Sequence, residues 1–415
     1  GLATAADDDK LSPGVVEATA GGRSTEILVV LAEQSELGQL PTASGLSERR
    51  RLVRDTLWQT AEQGQQELRQ WLDARELRYR SFYIVNAILV HEADASIVDA
   101  LTARSDVARV EANPWIRQPL PQLAVWPEPK AMAAIEWNLF TIRADEMWAA
   151  GFTGEGVVIG NQDTGFEWNH PALKNQYRGW NGSSADHDYN WHDAIHAGGG
   201  ICGPDSATPC DDVGHGTLTM GVSVGDDGGS NQVGVAPGAR WIGCRNMDQG
   251  VGSPATYLEC LEFFLAPYPV GGSPANGDPD LAPDVTNNSW TCPPSEGCSW
   301  ETLQAAVEAQ RAAGILTVAA AGNDGPSCTS VHDPIAIYDA TFTIGATEAG
   351  DTIAGLSGRG PVTVDGSGRL KPDLCAPGVD VRSSVPGGGY SSASGTSLAS
   401  PHVAGAVALL WSASP

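Results

Sequence analysis

Apolar residues in the first 117 positions follow two periods, one typical of strands and one typical of helices. Dense apolar runs at residues 25–32, 82–90 and 107–111 predict three strands. Residues 47–75 have helical spacing with a break expected near Gly64, and residues 95–103 fit a shorter helix. The order strand, helix, strand, helix, strand predicts a small α+β domain over residues 24–117.

The second half of the chain alternates short apolar runs with longer helical patterns. We expect strands at residues 157–161, 239–245, 285–289, 315–321 and 342–345, and helices at 215–225, 253–265 and 300–313. Residues 137–150 are interpreted as an entry strand and helix. This alternation predicts an α/β fold over residues 135–415, with a doubly wound, mostly parallel sheet whose sites gather at the strand carboxyl ends.

Two stretches lack periodicity. Residues 1–23 are small, polar and acidic, and are predicted to be a disordered leader. Residues 118–134 are rich in proline and are predicted to be a linker.

Charge narrows the range of partners. The formal net charge is −26; through Arg117 there are 13 basic and 18 acidic residues, and after it 11 and 32. The negative electrostatic field of this charge argues against nucleic acid as a partner. It could attract cationic substrates or calcium. The alternative is that the charge serves solubility alone. No apolar run approaches the roughly 20 residues that cross a bilayer, so no membrane partner is expected.

The eight cysteines favour disulfides. Cys202 with Cys210, and Cys292 with Cys298, are close pairs in loops where a small ring would brace the chain. Cys244, Cys260, Cys328 and Cys375 could pair or stay thiols, and their spacing leaves this open. A zinc site is the alternative, although none of the close pairs has the two-residue spacing of a zinc knuckle.

Three segments carry candidate catalytic groups. Asp163 follows an apolar strand, His215 lies in a glycine-lined turn, and Ser397 stands where a Gly/Ser loop becomes an apolar helix. Each residue also has an ordinary structural explanation: Asp163 could form an Asx turn, His215 could cap a turn, and Ser397 could be a helix N-cap. Together they supply a nucleophile, a base and a carboxylate that orients the base.

The order Asp, His, Ser and the flanking residues resemble the subtilisin-like serine peptidases. The matching motifs are Asp163-Thr164-Gly165, His215-Gly216-Thr217, Ala319-Ala320-Ala321-Gly322-Asn323-Asp324-Gly325 and Gly395-Thr396-Ser397, within residues 137–411. Within the family, Asn287-Asn288-Ser289-Trp290 and the insert at 186–193 are most similar to the bacillopeptidase F branch.

The resemblance implies a secreted serine endopeptidase that acts on polypeptides through an acyl-enzyme and needs no cofactor for its chemistry. Residues 24–117 resemble the family's inhibitory propeptide, with an unrelated ferredoxin-like binding domain as the alternative. The tail Asn113-Pro114-Trp115-Ile116 is expected to lie in the cleft as an added strand, and the linker to contain the cut site for self-maturation. No signal peptide begins the chain, and we expect the signal and further C-terminal elements to be absent from this sequence.

The resemblance also assigns residues around the triad. It implies that Asn323 donates to the oxyanion, and that the substrate cleft is flanked by Asn287, Ser289, Trp290, Thr291, Ala320 and Gly322. Thr291 and Leu218 depart from the family, which usually has glycine and histidine there. Asp324 could lie at the rim of the pocket and favour basic side chains, or be a solvated loop carboxylate.

Two clusters offer metal-ligand types. Asp226, Asp227 and Asn231 are weak candidates for a structural calcium site in a glycine-rich loop. The histidines and aspartates of residues 187–196 lack fixed spacing and are interpreted as a solvated insert. Two rival functions are a catalytically silent binding protein and an α/β-hydrolase; the latter needs a Gly-x-Ser-x-Gly elbow, which is absent around Ser397.

Overall fold

A computed structural model describes residues 10–121 and 135–414. Its strands are β1 Thr25–Leu31, β2 Tyr79–Phe82, β3 Ala87–Ala93, β4 Val107–Ala112, β5 Ile116–Arg117, β6 Val158–Asp163, β7 Trp191–Asp193, β8 Arg240–Arg245, β9 Met247–Asp248, β10 Val251–Gly252, β11 Val285–Asn288, β12 Leu316–Ala320, β13 Thr341–Thr347, β14 Leu374–Pro377, β15 Val381–Val385 and β16 Gly389–Ala393.

The helices are α1 Pro13–Thr19, α2 Leu46–Gly64, α3 Gln66–Asp73, α4 Ala95–Thr102, α5 Trp137–Thr141, α6 Ala144–Ala149, α7 His215–Val224, α8 Pro254–Leu265, α9 Gln304–Ala312 and α10 Thr396–Ala413. Short 3₁₀ turns join several of them. The break expected near Gly64 is confirmed, since α2 ends there and α3 begins at Gln66.

The N-terminal unit (residues 10–117) is a four-stranded antiparallel sheet with the order β2-β3-β1-β4. The single strand expected at 82–90 is wrong, because the chain turns between Phe82 and Ala87 and forms two strands. The disorder expected at 1–23 is also wrong for residues 10–23. There α1 buries Val15, and Leu11 bridges to Val110 of β4, so the helix closes one side of the sheet. Residues 1–9 lie outside the described residues.

The C-terminal unit (residues 135–414) is built on a seven-stranded sheet with the order β14-β13-β12-β11-β6-β8-β7. Every neighbouring pair is parallel, which confirms the α/β fold class with a small α+β unit before it. Residues 137–150 form two helices, α5 and α6, instead of a strand and a helix. The β6 strand lies between β8 and β11 and therefore delivers its carboxyl end to the middle of the sheet edge.

The two units share one hydrophobic cluster. Leu28, Val53 and Ile84 of the N-terminal unit pack in the same cluster as Tyr257 and Leu261 of α8. Burial of apolar side chains from both units in one cluster favours their association, because it removes apolar surface from water. Of the linker expected at 118–134, residues 118–121 are described and 122–134 lie outside the described residues.

Three disulfides cross-link the C-terminal unit. Cys202–Cys210 and Cys292–Cys298 close the two small rings expected from spacing, and Cys244–Cys260 ties β8 to α8. Cys328 and Cys375 are exposed free thiols. The sequence did not predict that Cys244 pairs with Cys260 or that Cys328 and Cys375 stay unpaired. Pairing depends on which elements are neighbours in the fold.

Removing the Cys244–Cys260 bridge by a double change to alanine should lower the free energy of unfolding by about 3 kcal/mol, since it closes a loop of 16 residues. The measurement is the Tm of the Ser397→Ala protein with and without the bridge, expected to differ by several degrees. The matched control is Cys328→Ala with Cys375→Ala, which removes two thiols and no bridge. Equal losses in both variants would contradict the prediction.

Candidate active site

Asp163 is the last residue of β6 and is completely buried. The chain then turns through Gly165 at a φ of +109°, and a Cβ there would lie 1.8 Å from the carbonyl oxygen of Cys210. Only glycine satisfies both constraints. The Asp-Thr-Gly motif therefore reflects a backbone that must leave the sheet sharply once the carboxylate is in place.

His215 is the first residue of α7, and its Nδ1 lies 2.7 Å from Asp163 Oδ1. The same carboxylate oxygen accepts from the Thr164 amide at 2.7 Å, which fixes its orientation. Burial disfavours the imidazolium, but the charge of Asp163 and its hydrogen bond outweigh that effect and raise the pKa of His215. His215 Nε2 is buried and makes no hydrogen bond within the described part of the chain, so it is available to a reacting group.

Ser397 is the second residue of α10 and is 6% exposed. Its Oγ lies 3.5 Å from the carbonyl oxygen of Ser289, a long contact that leaves the hydroxyl weakly held. Within residues 10–121 and 135–414, no hydrogen bond joins this hydroxyl to His215. Catalytic hydrogen bonds are often long without substrate and tighten in the complex.

The helix that carries Ser397 has an unusual first turn. Pro401 stands four residues after Ser397 and has no N–H, so the Ser397 carbonyl lacks its intrahelical donor. Ser289 Oγ supplies the missing bond at 3.0 Å. The start of α10 is thereby bound to the segment that follows β11.

Asn323 follows β12 and reaches the N-terminus of α10. Its Oδ1 accepts from the backbone N–H of Thr396 at 2.8 Å and from the Thr396 hydroxyl at 3.0 Å. Because the amide oxygen is bound on that side, Nδ2 is directed to the other side. Asn323 is half-buried, so its N–H groups can reach a molecule in the cleft.

A buried polar network lies under these groups, and sequence reasoning missed most of it. Asn161 Nδ2 donates to Thr219 Oγ1 at 2.9 Å, and Thr219 Oγ1 lies 3.2 Å from Asp163 Oδ2. Ser400 Oγ donates to Asn287 Oδ1 at 2.8 Å, and Asn287 Nδ2 lies 3.3 Å from Asn161 Oδ1. The signal for it was polar residues within apolar elements, such as Asn161 at the end of a Val-Val-Ile-Gly run.

Asn287 was expected to flank the cleft, and the structure corrects this. It is fully buried in the network and supports the site from below. A cavity of about 200 Å³ beside Ser397 is lined by the other expected residues, Ser289, Trp290, Thr291, Ala320 and Gly322, together with Asn323 and Asp324.

The cavity is also lined by Gln118, Pro119 and Leu120, the first linker residues after the N-terminal unit. Strand β5 pairs antiparallel with β10, a strand that the sequence pattern did not reveal. Gln118 N donates to Gly250 O at 2.9 Å, and its side chain bonds both the N–H and the C=O of Thr291. The tail therefore lies in the cleft as an added strand, slightly beyond the residues first assigned to it.

The calcium candidates do not fit a calcium site. Asn231 Oδ1 accepts from the guanidinium of Arg382 at 2.7 Å, and Asp227 accepts from Asn231 Nδ2 at 2.6 Å. A cationic donor already occupies an oxygen that a metal would need. In the insert, His192 and His196 both bind Glu259. The expectation of a solvated insert is wrong for His192 and Asp193, whose side chains are 15% and 2% exposed, whereas His196 remains 44% exposed.

Residues 154–415 match the subtilase family, which is well over half of the chain. The chain belongs to the subtilase family. It is 38% identical over 394 residues to bacillopeptidase F of Bacillus subtilis (strain 168), which covers 90% of this chain and 26% of that protein. This similarity supports the branch inferred from the sequence. The chain thus spans about a quarter of the length of that relative.

Other relatives agree with this assignment. Alkaline elastase YaB of Bacillus sp. (strain YaB) is 29% identical over 329 residues, covering 79% of this chain and 70% of that protein. Subtilisin E of Bacillus subtilis (strain 168) is 28% identical over 285 residues, covering 68% and 62%. The chain therefore carries a subtilisin-like serine peptidase domain. No helix among the described residues is long and apolar enough to cross a membrane.

Leu218 departs from the family pattern for a packing reason. It is fully buried in an apolar cluster with Val222, Val381 and Leu398, where a histidine would leave its ring nitrogens without water. The change leaves the Asp163–His215 pair intact.

The replacement of the missing Pro401 N–H by the Ser289 hydroxyl can be tested. Ser289→Ala should lower the free energy of unfolding by about 1–3 kcal/mol, because the Ser397 carbonyl is left buried without a donor. In a Pro401→Ala background the restored N–H can take that role, so the cost should shrink. Denaturant unfolding of the four proteins of this double-mutant cycle, all carrying Ser397→Ala, measures the difference. If Ser289→Ala lowered the free energy of unfolding equally with Pro401 present and in the Pro401→Ala background, the Ser289 hydroxyl would not be replacing the missing N–H.

Proposed function

We propose that the chain is the zymogen of a secreted serine endopeptidase that hydrolyses peptide bonds and matures by cutting its own linker. The observation that carries this proposal is the buried Asp163–His215 pair beside Ser397 at the start of α10. Three disulfides support export, because they persist in oxidising compartments. The chemistry proposed here requires no cofactor.

In this mechanism Ser397 Oγ attacks the carbonyl carbon of the scissile bond while His215 Nε2 takes the hydroxyl proton. Asp163 holds the imidazole in the tautomer with its proton on Nδ1 and stabilises the imidazolium that forms. The raised pKa of His215 fits this role, since the carboxylate favours the protonated ring. His215 then protonates the leaving amine, and a water molecule, deprotonated by His215, hydrolyses the acyl-enzyme.

Negative charge develops on the carbonyl oxygen during the attack. Asn323 Nδ2 and the backbone N–H of Ser397 are the proposed donors to it, because the first N–H groups of a helix lack intrahelical partners. The hydrogen bonds from Thr396 to Asn323 Oδ1 hold the amide in this orientation before substrate arrives.

The N-terminal unit is proposed to inhibit the peptidase until the linker is cut. Strand β5 pairs with β10, and the residues that follow it, Gln118, Pro119 and Leu120, line the cavity beside Ser397. A second contact lies outside the cleft, where Arg80 bonds the buried carboxylate of Glu259 at 2.8 Å. Burial opposes the charge of Glu259, but Arg80 and the two histidines outweigh it and lower the pKa of that carboxyl. The unit thus binds through an apolar core and a desolvated ion pair.

Replacing the nucleophile tests the proposal directly. Ser397→Ala should abolish peptide hydrolysis and leave the chain uncut between residues 118 and 134, whereas the unchanged protein should be cut there and become active. Mass spectrometry and N-terminal sequencing over time, after expression in a protease-deficient host, measure both. Cutting of the Ser397→Ala chain at the same bond would show that maturation depends on another protease.

The oxyanion role of Asn323 is tested with two substitutions. Asn323→Ala should lower kcat by about 10²–10³ with little change in KM, because the donor acts when the oxygen becomes charged. Asn323→Asp keeps an oxygen for the Thr396 N–H but removes the donor, so it should lose at least as much. Thermal unfolding serves as the control for the loop. A wild-type kcat in the aspartate variant would refute the donor role.

A further inference from the structure

The cavity beside Ser397 is strongly acidic. Among the described residues that line it are three carboxylates, those of Glu296, Asp324 and Asp333, and no lysine or arginine. His332 is the one basic side chain in this described lining. Even with that ring protonated, the formal charge of the lining is −2, as three carboxylates face one imidazolium.

Asp333 is the most buried of the three acids, at 7% exposure, and belongs to the loop between β12 and β13. His332 Nδ1 lies 2.6 Å from its Oδ1. Burial raises the pKa of Asp333, an effect opposed by His332 and by the Thr291 hydroxyl. A carboxylate in this position gains when a further cation arrives, because burial has removed much of its hydration.

The wall of the cavity is braced where the acids lie. The Cys292–Cys298 ring carries Glu296, and Cys292 N donates to Pro334 O at 2.9 Å, next to Asp333. Glu296 Oε2 also lies 3.3 Å from the backbone N of Arg117 in the bound tail. The loops that carry Glu296 and Asp333 are therefore held together by a backbone hydrogen bond in the absence of substrate.

Geometry relates this cavity to one substrate position. Ser397 and Asn323, the proposed partners of the scissile carbonyl, line the same cavity as the segments 289–291 and 320–322. A carbonyl bound by these two residues therefore lies at the cavity, next to the side chain of the residue that supplies it. In other serine peptidases, an aspartate in the pocket for this side chain selects lysine and arginine.

We propose that this cavity makes the enzyme selective for lysine or arginine immediately before the cleaved bond, with Asp333 as the main partner and Asp324 and Glu296 at the mouth. The inference rests on the proposed peptidase function and extends it to substrate choice. In this proposal, part of the negative charge of the C-terminal unit attracts the cationic side chain of the substrate.

The test compares kcat/KM of the matured enzyme for peptides that differ only at this position: lysine, arginine, norleucine, phenylalanine and glutamate. Norleucine has the length of lysine without its charge, so the lysine-to-norleucine ratio isolates the electrostatic contribution. We expect a ratio of about ten or more at low salt, falling as ionic strength rises. Asp333→Asn should bring the ratio towards one while norleucine cleavage changes less than about threefold. The matched control, Asp351→Asn at an exposed turn, should leave the ratio unchanged.

The outcomes separate the two proposals. Labelling of Ser397 by a fluorophosphonate probe together with a lysine-to-norleucine ratio near one at all salt concentrations would overturn the specificity and leave the peptidase function standing. Absence of both labelling and cleavage would overturn the function itself. An unchanged ratio in Asp333→Asn would remove Asp333 from the selection. If that variant does not fold, the ratio and its salt dependence in the unchanged enzyme still decide the question.

Discussion

The buried carboxylate of Asp163 is the constraint on which the site depends. An unpaired charge in the protein interior is costly, so the groups around it must supply donors. The Thr164 amide, Thr219 and His215 do so, and each requires a particular backbone course. The turn at Gly165 and the start of α7 follow from this requirement. The pair is also what makes His215 a stronger base than an isolated buried histidine.

Ser397, the proposed nucleophile, is positioned by a different set of contacts. Proline inside α10 removes one helix hydrogen bond, and the hydroxyl of Ser289 replaces it from the neighbouring chain segment. The hydrogen bond missing within α10 is thereby replaced by one that joins α10 to the segment after β11. Through Asn287 and Ser400 the same region continues into the buried polar network beneath the proposed triad. The candidate catalytic groups are thus connected by hydrogen bonds that no single helix or strand could provide.

The N-terminal unit depends on the same cleft that the mechanism uses. Its tail pairs with β10, and Gln118 occupies the backbone groups of Thr291 that an extended peptide would use. This arrangement is strand addition at an open edge. The shared apolar cluster and the Arg80–Glu259 pair are contacts of the unit outside the cavity beside Ser397, so its binding and its proposed blocking of the cleft use different residues.

The sequence by itself determined the five central strands β6, β8, β11, β12 and β13, the helices between them, the family resemblance, and the candidates Asp163, His215, Ser397 and Asn323. It missed the strands β7, β9, β10 and β14–β16 and the helical form of residues 137–150. The features that it determined follow from periodicity and from local backbone needs, such as glycine after Asp163, which short motifs record. Only the tertiary structure decided that Asn287 lies beneath the site and that Cys244 pairs with Cys260. It also decided that Gln118 reaches Thr291, 173 residues away. Periodicity reports that a face is buried, whereas the partner of that face is set by packing between segments far apart in the chain.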